Sequence, residues 1–160
     1  FEEPLPKDQI EAYAQLANAV ELPITGGESL TTLEQFRPYL EAGAYDIVQP
    51  DAALCGLTEA MRIARMAAQG YGVDTCPHSW HNGLMAMEHA HYVAALPNPR
   101  VLELCMIQGP LQWAILEETP RIEEGWLHLP QAPGLGVTLA GDLDARFPYV
   151  EGHYAIQVQR

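Results

Sequence analysis

Five polar side chains recur along the chain at nearly even intervals: Glu2, Glu28, Asp51, His78 and Glu103, separated by 26, 23, 27 and 25 residues. Each closes a short apolar stretch of strand character, and a stretch with helical periodicity fills each interval. The clearest case is Val73-Asp74-Thr75-Cys76-Pro77-His78, where Pro77 stops a strand and His78 stands just past its end. A period of this kind belongs to a repeating strand–helix unit. Each repeat delivers one acidic or basic side chain to one common edge.

The intervals support that reading. Ile10, Tyr13, Leu16, Ala17 and Val20 recur at helical spacing, with Asp8 as the expected N-cap. Residues 22–25 read as a strand ended by Gly26-Gly27-Glu28-Ser29, whose paired glycines let the backbone turn where a bulkier residue would clash. Thr31 or Thr32 caps the next helix, built on Leu33, Phe36 and Leu40, and Gly43 stands where a C-terminal cap belongs. Residues 44–49 form the next strand, stopped by Pro50-Asp51. Thr58 opens a helix that closes at Gln69-Gly70, and another helix from about Gly83 to Ala95 is broken by Pro97-Asn98-Pro99. Residues 101–104 are the last strand of the series. Five strands alternating with four helices, without a hairpin signal, favour parallel strands and crossover helices. From about Gln112 the pattern changes to Pro, Gly and acidic residues. This tail is expected to be a covering segment with short strands near 126–129 and 154–158.

Composition narrows the function. The net charge is −13, from 21 acidic residues against 8 Lys plus Arg, and Lys7 is the single lysine. That balance argues against a nucleic-acid groove or an anionic membrane surface, which both need a basic face. An anionic substrate would need a cation to hold it. No stretch of about 18 uninterrupted apolar residues occurs, so no membrane span is predicted. Cys55, Cys76 and Cys105 are odd in number and lack CxxC pairing, so they read as buried reduced thiols of a cytoplasmic protein. The chain opens on Phe1 with no basic-then-apolar leader, and is expected to begin inside a strand or after processing.

In a (β/α) barrel the chemistry lies at the C-terminal ends of the strands, so the five side chains would converge. Glu2 and Glu28, on adjacent strands, can supply two oxygen ligands to a hard cation such as Mg²⁺. Asp51 beside His78 would hold the ring and raise its pKa toward the range of a general base. A protonated Glu103 can hydrogen-bond a substrate oxygen. The other histidines do not share the strand-end position: His89 and His91 fall inside a helix, His128 and His153 in the tail, and His81 with Asn82 in an expected surface turn.

Taken together, Phe1-Glu2-Glu3-Pro4, Gly26-Gly27-Glu28-Ser29, Asp46-Ile47-Val48-Gln49-Pro50-Asp51, Pro77-His78-Ser79, Leu102-Glu103 and Pro133-Gly134-Leu135-Gly136 resemble the enolase superfamily. The resemblance is to its mandelate racemase/muconate lactonizing enzyme group, and within it to the mandelate racemase subgroup. It implies an α/β fold: the C-terminal portion, about strands 4–8, of a (β/α)7β TIM-like barrel, plus a C-terminal covering segment. Residues 1–116 would be the partial barrel and residues 117–160 the segment packing on the barrel or on a capping domain. Carried over residue by residue, it implies Glu2 and Glu28 as metal carboxylates for Mg²⁺ and Asp51 and His78 as an Asp–His dyad. Glu103 would be the acid that bonds the substrate carboxylate as it becomes an enolate. The implied partner is a small-molecule carboxylate, a sugar acid, in a homo-oligomer or with the rest of the barrel.

The departures are specific. The group's first metal ligand, its Lys-x-Lys-type base and its N-terminal capping domain have no counterpart, because the chain begins at the fourth barrel strand. Cys55-Gly56-Leu57-Thr58 has one glycine where the group usually has two, and one residue is gained before Gly72. Two readings follow. One is a Mg²⁺-dependent enzyme that abstracts the proton α to a carboxylate, with dehydration of a sugar acid leading and racemisation or epimerisation of a 2-hydroxy acid as the alternative. The other is a truncated, non-catalytic half-barrel, since five strands cannot close a barrel and open edges invite pairing.

Overall fold

The computed structural model describes residues 1–107, 109 and 111–149. The strand expected at 154–158, and His153, lie outside the described residues. Strands β1 (Thr25–Gly26), β2 (Ile47–Val48) and β3 (Asp74–Thr75) form a parallel sheet in the order β1-β2-β3. Thr25 pairs with Ile47, and Ile47 with Asp74. Single parallel bridges extend it on both sides, Glu2 to Thr25 and Thr75 to Pro99. Four of the expected rows are therefore present in chain order, and a bridge at Pro99 stands beside the fifth position.

The strands are shorter than the apolar stretches that contain them. Pro23 precedes β1, Pro50 follows β2 and Pro77 follows β3, and a proline has no N–H to continue a ladder. Residues 101–104 were expected as a strand but carry no ladder of their own. Contacts at its start reach across instead: Arg100 N–H donates to Thr75 O at 3.1 Å, and Cys76 Sγ–H donates to Val101 O at 3.4 Å.

Helices α1 (Ile10–Ala19), α2 (Leu33–Glu41), α3 (Ala52–Cys55), α4 (Leu57–Met66) and α5 (Gly83–Ala95) make the crossovers. Thr32 closes a reciprocal capping box with Gln35 at the start of α2. Gly43 takes φ +65° after that helix, as a C-terminal cap requires. Asp8 does not cap α1. Gln9 holds that position without a side-chain bond, and its N–H turns back to Pro6 O at 3.0 Å. Helix α3 has no signal in the periodicity, because four residues are too few to show one. The helix opened by Leu57 does not simply end at Gln69-Gly70: residues Ala67–Tyr71 form a π-helical turn that closes on Gly72. A π-turn of this kind is how a helix absorbs an extra residue.

Tyr13, Phe36, Tyr45, Val48 and Ile63 are buried beneath the sheet and helices. Tyr39 stacks on Tyr45 with ring centroids 4.9 Å apart, and Tyr13 meets Tyr45 edge-on at 5.3 Å. The tail covers α5. Met87, Ile115 and Leu116 form a second core with Trp113, Leu129 and Val137 against it. A short hairpin, β4 (Ile122–Glu123) with β5 (Trp126–Leu127), supplies the strand expected near 126. A four-residue helix, α6 (Leu143–Arg146), follows. The three thiols are free, and half-buried rather than fully buried. No helix among the described residues is long and apolar enough to cross a membrane.

The core presses directly on the loop that carries Glu28. A β-carbon on Gly26 would lie 2.9 Å from the Tyr45 ring. One on Gly27, which has φ +105°, would lie 2.5 Å from the Phe36 ring. Gly27→Ala therefore combines backbone strain with overpacking and should lower stability by about 1–3 kcal/mol. Urea unfolding monitored by circular dichroism would detect it as a lower midpoint, and an unshifted midpoint would show that the loop yields freely.

Candidate active site

Four of the five strand-end residues meet through direct contacts or through a shared loop, and the fifth hangs from the same sheet edge. Asp51, fully buried, closes β2 and caps α3, its Oδ1 accepting from Ala53 N–H at 2.8 Å. Its Oδ2 accepts from His78 Nδ1 at 2.9 Å. A carboxylate only accepts, so Nδ1 carries the ring hydrogen and Nε2 keeps the free lone pair. That Nε2 lies 3.5 Å from Glu28 Oε2. Glu103 Oε2 accepts from Ser79 N–H at 2.6 Å, gripping the backbone one residue past His78. Glu2 Oε1 accepts from Gln49 Nε2 at 3.0 Å.

The expectation that His81 and Asn82 form a surface turn is corrected. His81 Nε2 donates to the same Asp51 Oδ2, at 2.6 Å, and Asn82 is the N-cap of α5, its Oδ1 accepting from Leu84 N–H and Met85 N–H. His89 also turns toward this carboxylate. Buried on the inner face of α5, it donates from Nδ1 to Met85 O at 2.8 Å. Its Nε2 accepts from Ala52 N–H at 3.1 Å and stands 3.2 Å from Asp51 Oδ1. The His78–His81 spacing of three residues, and a histidine on an otherwise apolar helix face, were the available signals.

Two more residues were not singled out. Glu3 adopts φ +34° and accepts from Gly27 N–H at 3.2 Å, so it braces the loop that presents Glu28. Gln49, 5% exposed, stands two residues before Asp51 on the same face of β2.

The electrostatics follow from these contacts. Burial alone would push the Asp51 carboxyl up, but the hydrogen bonds from His78 and His81, with the His89 ring close beside it, outweigh burial and hold the group well below the usual carboxylate range. The hydrogen bond to Asp51 raises His78, opposed by burial and reinforced by the charges of Glu28, Glu103 and Asp51. Burial raises Glu28, opposed by the attraction of His78 and reinforced by Glu3, Glu2 and Glu103. One side of the site is thus a fixed Asp–His pair and the other a cluster of mutually repelling carboxylates.

The sequence matches the profile of the enolase C-terminal domain-like family over residues 1–143. The chain belongs to this family. It is 32% identical over 156 residues to D-galactarolactone cycloisomerase of Agrobacterium fabrum, covering 92% of this chain and 41% of that enzyme. It is 35% identical over 140 residues to arabinonate dehydratase of Saccharolobus solfataricus, covering 87% of this chain and 37% of the relative. The crystal structure of a mandelate racemase/muconate lactonizing enzyme from Sulfitobacter superposes with a TM-score of 0.84 at 34% identity, over 96% of this chain and 38% of that one. The enolase C-terminal domain-like chain therefore spans about two-fifths of the length of the relatives it matches. Its fold is the C-terminal part of an enolase-superfamily barrel, in the mandelate racemase/muconate lactonizing enzyme group.

Linkage gives the buried carboxylate a testable sign. Its folded-state pKa is depressed, so the unfolded chain binds a proton near pH 4 that the folded chain refuses. Its stabilisation is fully present above that value and is lost progressively as pH falls from there toward the lower folded-state value. Asp51→Asn should flatten the decline in urea midpoint between about pH 5 and pH 3. An equally steep decline in the variant would assign the acid sensitivity to other groups.

Proposed function

We propose that this chain carries the proton-transferring side of a Mg²⁺-dependent enzyme that removes the proton α to a carboxylate, most simply to dehydrate a sugar acid. The observation that carries the proposal is the His78 ring, anchored at Nδ1 by Asp51 with its lone pair at Nε2 directed toward the carboxylate side. In this reading residues 1–116 are the barrel portion and residues 117–160 a segment packed on it.

Glu2 and Glu28 fit Mg²⁺. They are hard oxygen donors on neighbouring rows of the sheet, and burial and neighbouring acids strain Glu28 in a way that a cation relieves. When bound, Mg²⁺ supplies the positive charge that an anionic substrate needs at a site in a chain of net charge −13.

The chain's own residues would act as follows. His78 Nε2 accepts the proton from the carbon α to the substrate carboxylate, and the bonding pair moves into the carboxylate as an enolate. Asp51 stabilises the imidazolium and keeps its orientation. Glu103 holds the His78 loop through Ser79 N–H, and its second oxygen remains available to the substrate when protonated. Expulsion of the β-hydroxyl with a proton releases water and leaves an enol that becomes a 2-keto acid. Return of the proton to the opposite face instead gives racemisation or epimerisation, the alternative outcome. The names of the matched relatives, among them arabinonate dehydratase and D-galactonate dehydratase, favour dehydration.

Incubating a protein that contains this chain with sugar acids in deuterated buffer tests the reading. Solvent deuterium should enter at the α-carbon, and His78→Asn should lower that exchange by about 10²-fold or more. Unchanged exchange on that face would remove His78 as the base. With two of its own ligands the chain by itself should bind Mg²⁺ weakly, and submicromolar affinity by calorimetry would contradict that ligand count.

A non-catalytic half-barrel is the second reading. The margin at residues 101–104 favours it: Val101, Leu102 and Leu104 line an apolar groove of about 720 Å³ with Trp126 and Leu129. None of the five strand-end residues lines it.

A further inference from the structure

We propose that His81 is a positioning residue: by sharing Oδ2 of Asp51 with His78, it clips the loop from His78 to Asn82 over the carboxylate and keeps the His78 ring on it. Its consequence for proton transfer rests on the reading of His78 as the base.

The loop is held at several points, and His81 closes it. Ser79 N–H is held by Glu103, and Asn82 starts α5. Between them Trp80 is 49% exposed and anchors nothing. His78 and His81 lie edge-to-face, with ring centroids 5.7 Å apart, and both aim a nitrogen at one oxygen. The contact from His81 is the shorter, 2.6 Å against 2.9 Å.

Burial gives this arrangement a purpose. The Asp51 side chain is wholly inaccessible, while those of His78 and His81 are 18% and 28% exposed, so these two rings form the solvent side of its enclosure. On the inner side, Oδ1 accepts from Ala53 N–H and is packed against the buried His89 ring. Without the His81 N–H to hold the loop on Asp51, the loop would lift, and water would reach Oδ2 and compete with His78 Nδ1–H for it. The base would then lose both its fixed tautomer and its direction.

Nitrogen-15-edited nuclear magnetic resonance of the full chain tests this without substrate. The Asp51-bonded His78 Nδ1–H should be a slowly exchanging ring proton. In His81→Phe, which keeps a ring but no donor, its exchange with water should rise about tenfold or more, the consequence of losing one charge-assisted hydrogen bond. His81→Gln, which keeps an N–H donor, should restore most of the protection, with urea midpoints unchanged. Unaltered exchange in His81→Phe would overturn the proposal. So would equal loss of protection in both variants together with a lower urea midpoint, since that marks packing alone. The readout involves no turnover, so a failed α-deuterium assay would refute His78 as the base and would not bear on the clip.

Discussion

The structure hangs on one carboxylate. Asp51 is wholly buried, and an uncompensated buried charge costs several kcal/mol. Its oxygens have about four acceptor positions; Ala53 N–H, His78 and His81 donate to them, and the buried His89 ring stands 3.2 Å from Oδ1. Each charge-assisted bond contributes roughly 1.5–3 kcal/mol, so a full set offsets the burial cost. The same contacts join the end of β2 to the start of α3, the inner face of α5 and the loop after β3. Two successive crossovers are pinned to one another through two oxygen atoms.

Opposite this pair the balance of charge reverses. Glu2, Glu3, Glu28 and Glu103 repel one another, and the one lysine, Lys7, spends its ammonium on Ser29 Oγ at 3.1 Å. Glu3 and Gln49 are engaged in holding Gly27 and Glu2, so the carboxylates are braced from beneath. A basic nitrogen on a rigid mount facing a cluster of carboxylates is the arrangement on which the proposed proton abstraction rests. The prolines that cut the strands short also serve the site. Pro50 and Pro77 stop the ladders of β2 and β3, so Asp51 and His78 beyond them turn out of the sheet, as Glu28 does past Gly26-Gly27.

Much of this was legible in local pattern. The interval of about 25 residues reports strand–helix units, and Thr32 and Gly43 mark helix ends because caps are local chemistry. The π-turn at Ala67–Tyr71 had no signal in the periodicity, because one widened turn leaves the apolar spacing around it unchanged. The prediction for Asp8 failed because the chain found a backbone partner in Pro6 O for the turn before α1. Helix α3 was invisible because a single turn has no period.

What depended on tertiary contact was the company Asp51 keeps. Residue type and spacing alone pair Asp51 with His78, since side chains at the ends of adjacent parallel strands must be neighbours. His89 is 38 residues from Asp51 in the chain, and its approach depends on the rotation and depth at which α5 packs. His81 depends on the path of a loop fixed by Glu103 at one end and Asn82 at the other. The chain's order of residues therefore set which groups stand at the sheet edge, because alternation and period are short-range properties. Packing decided which of the histidines share one carboxylate, because only the assembled helices and loop bring their nitrogens within hydrogen-bonding distance of it.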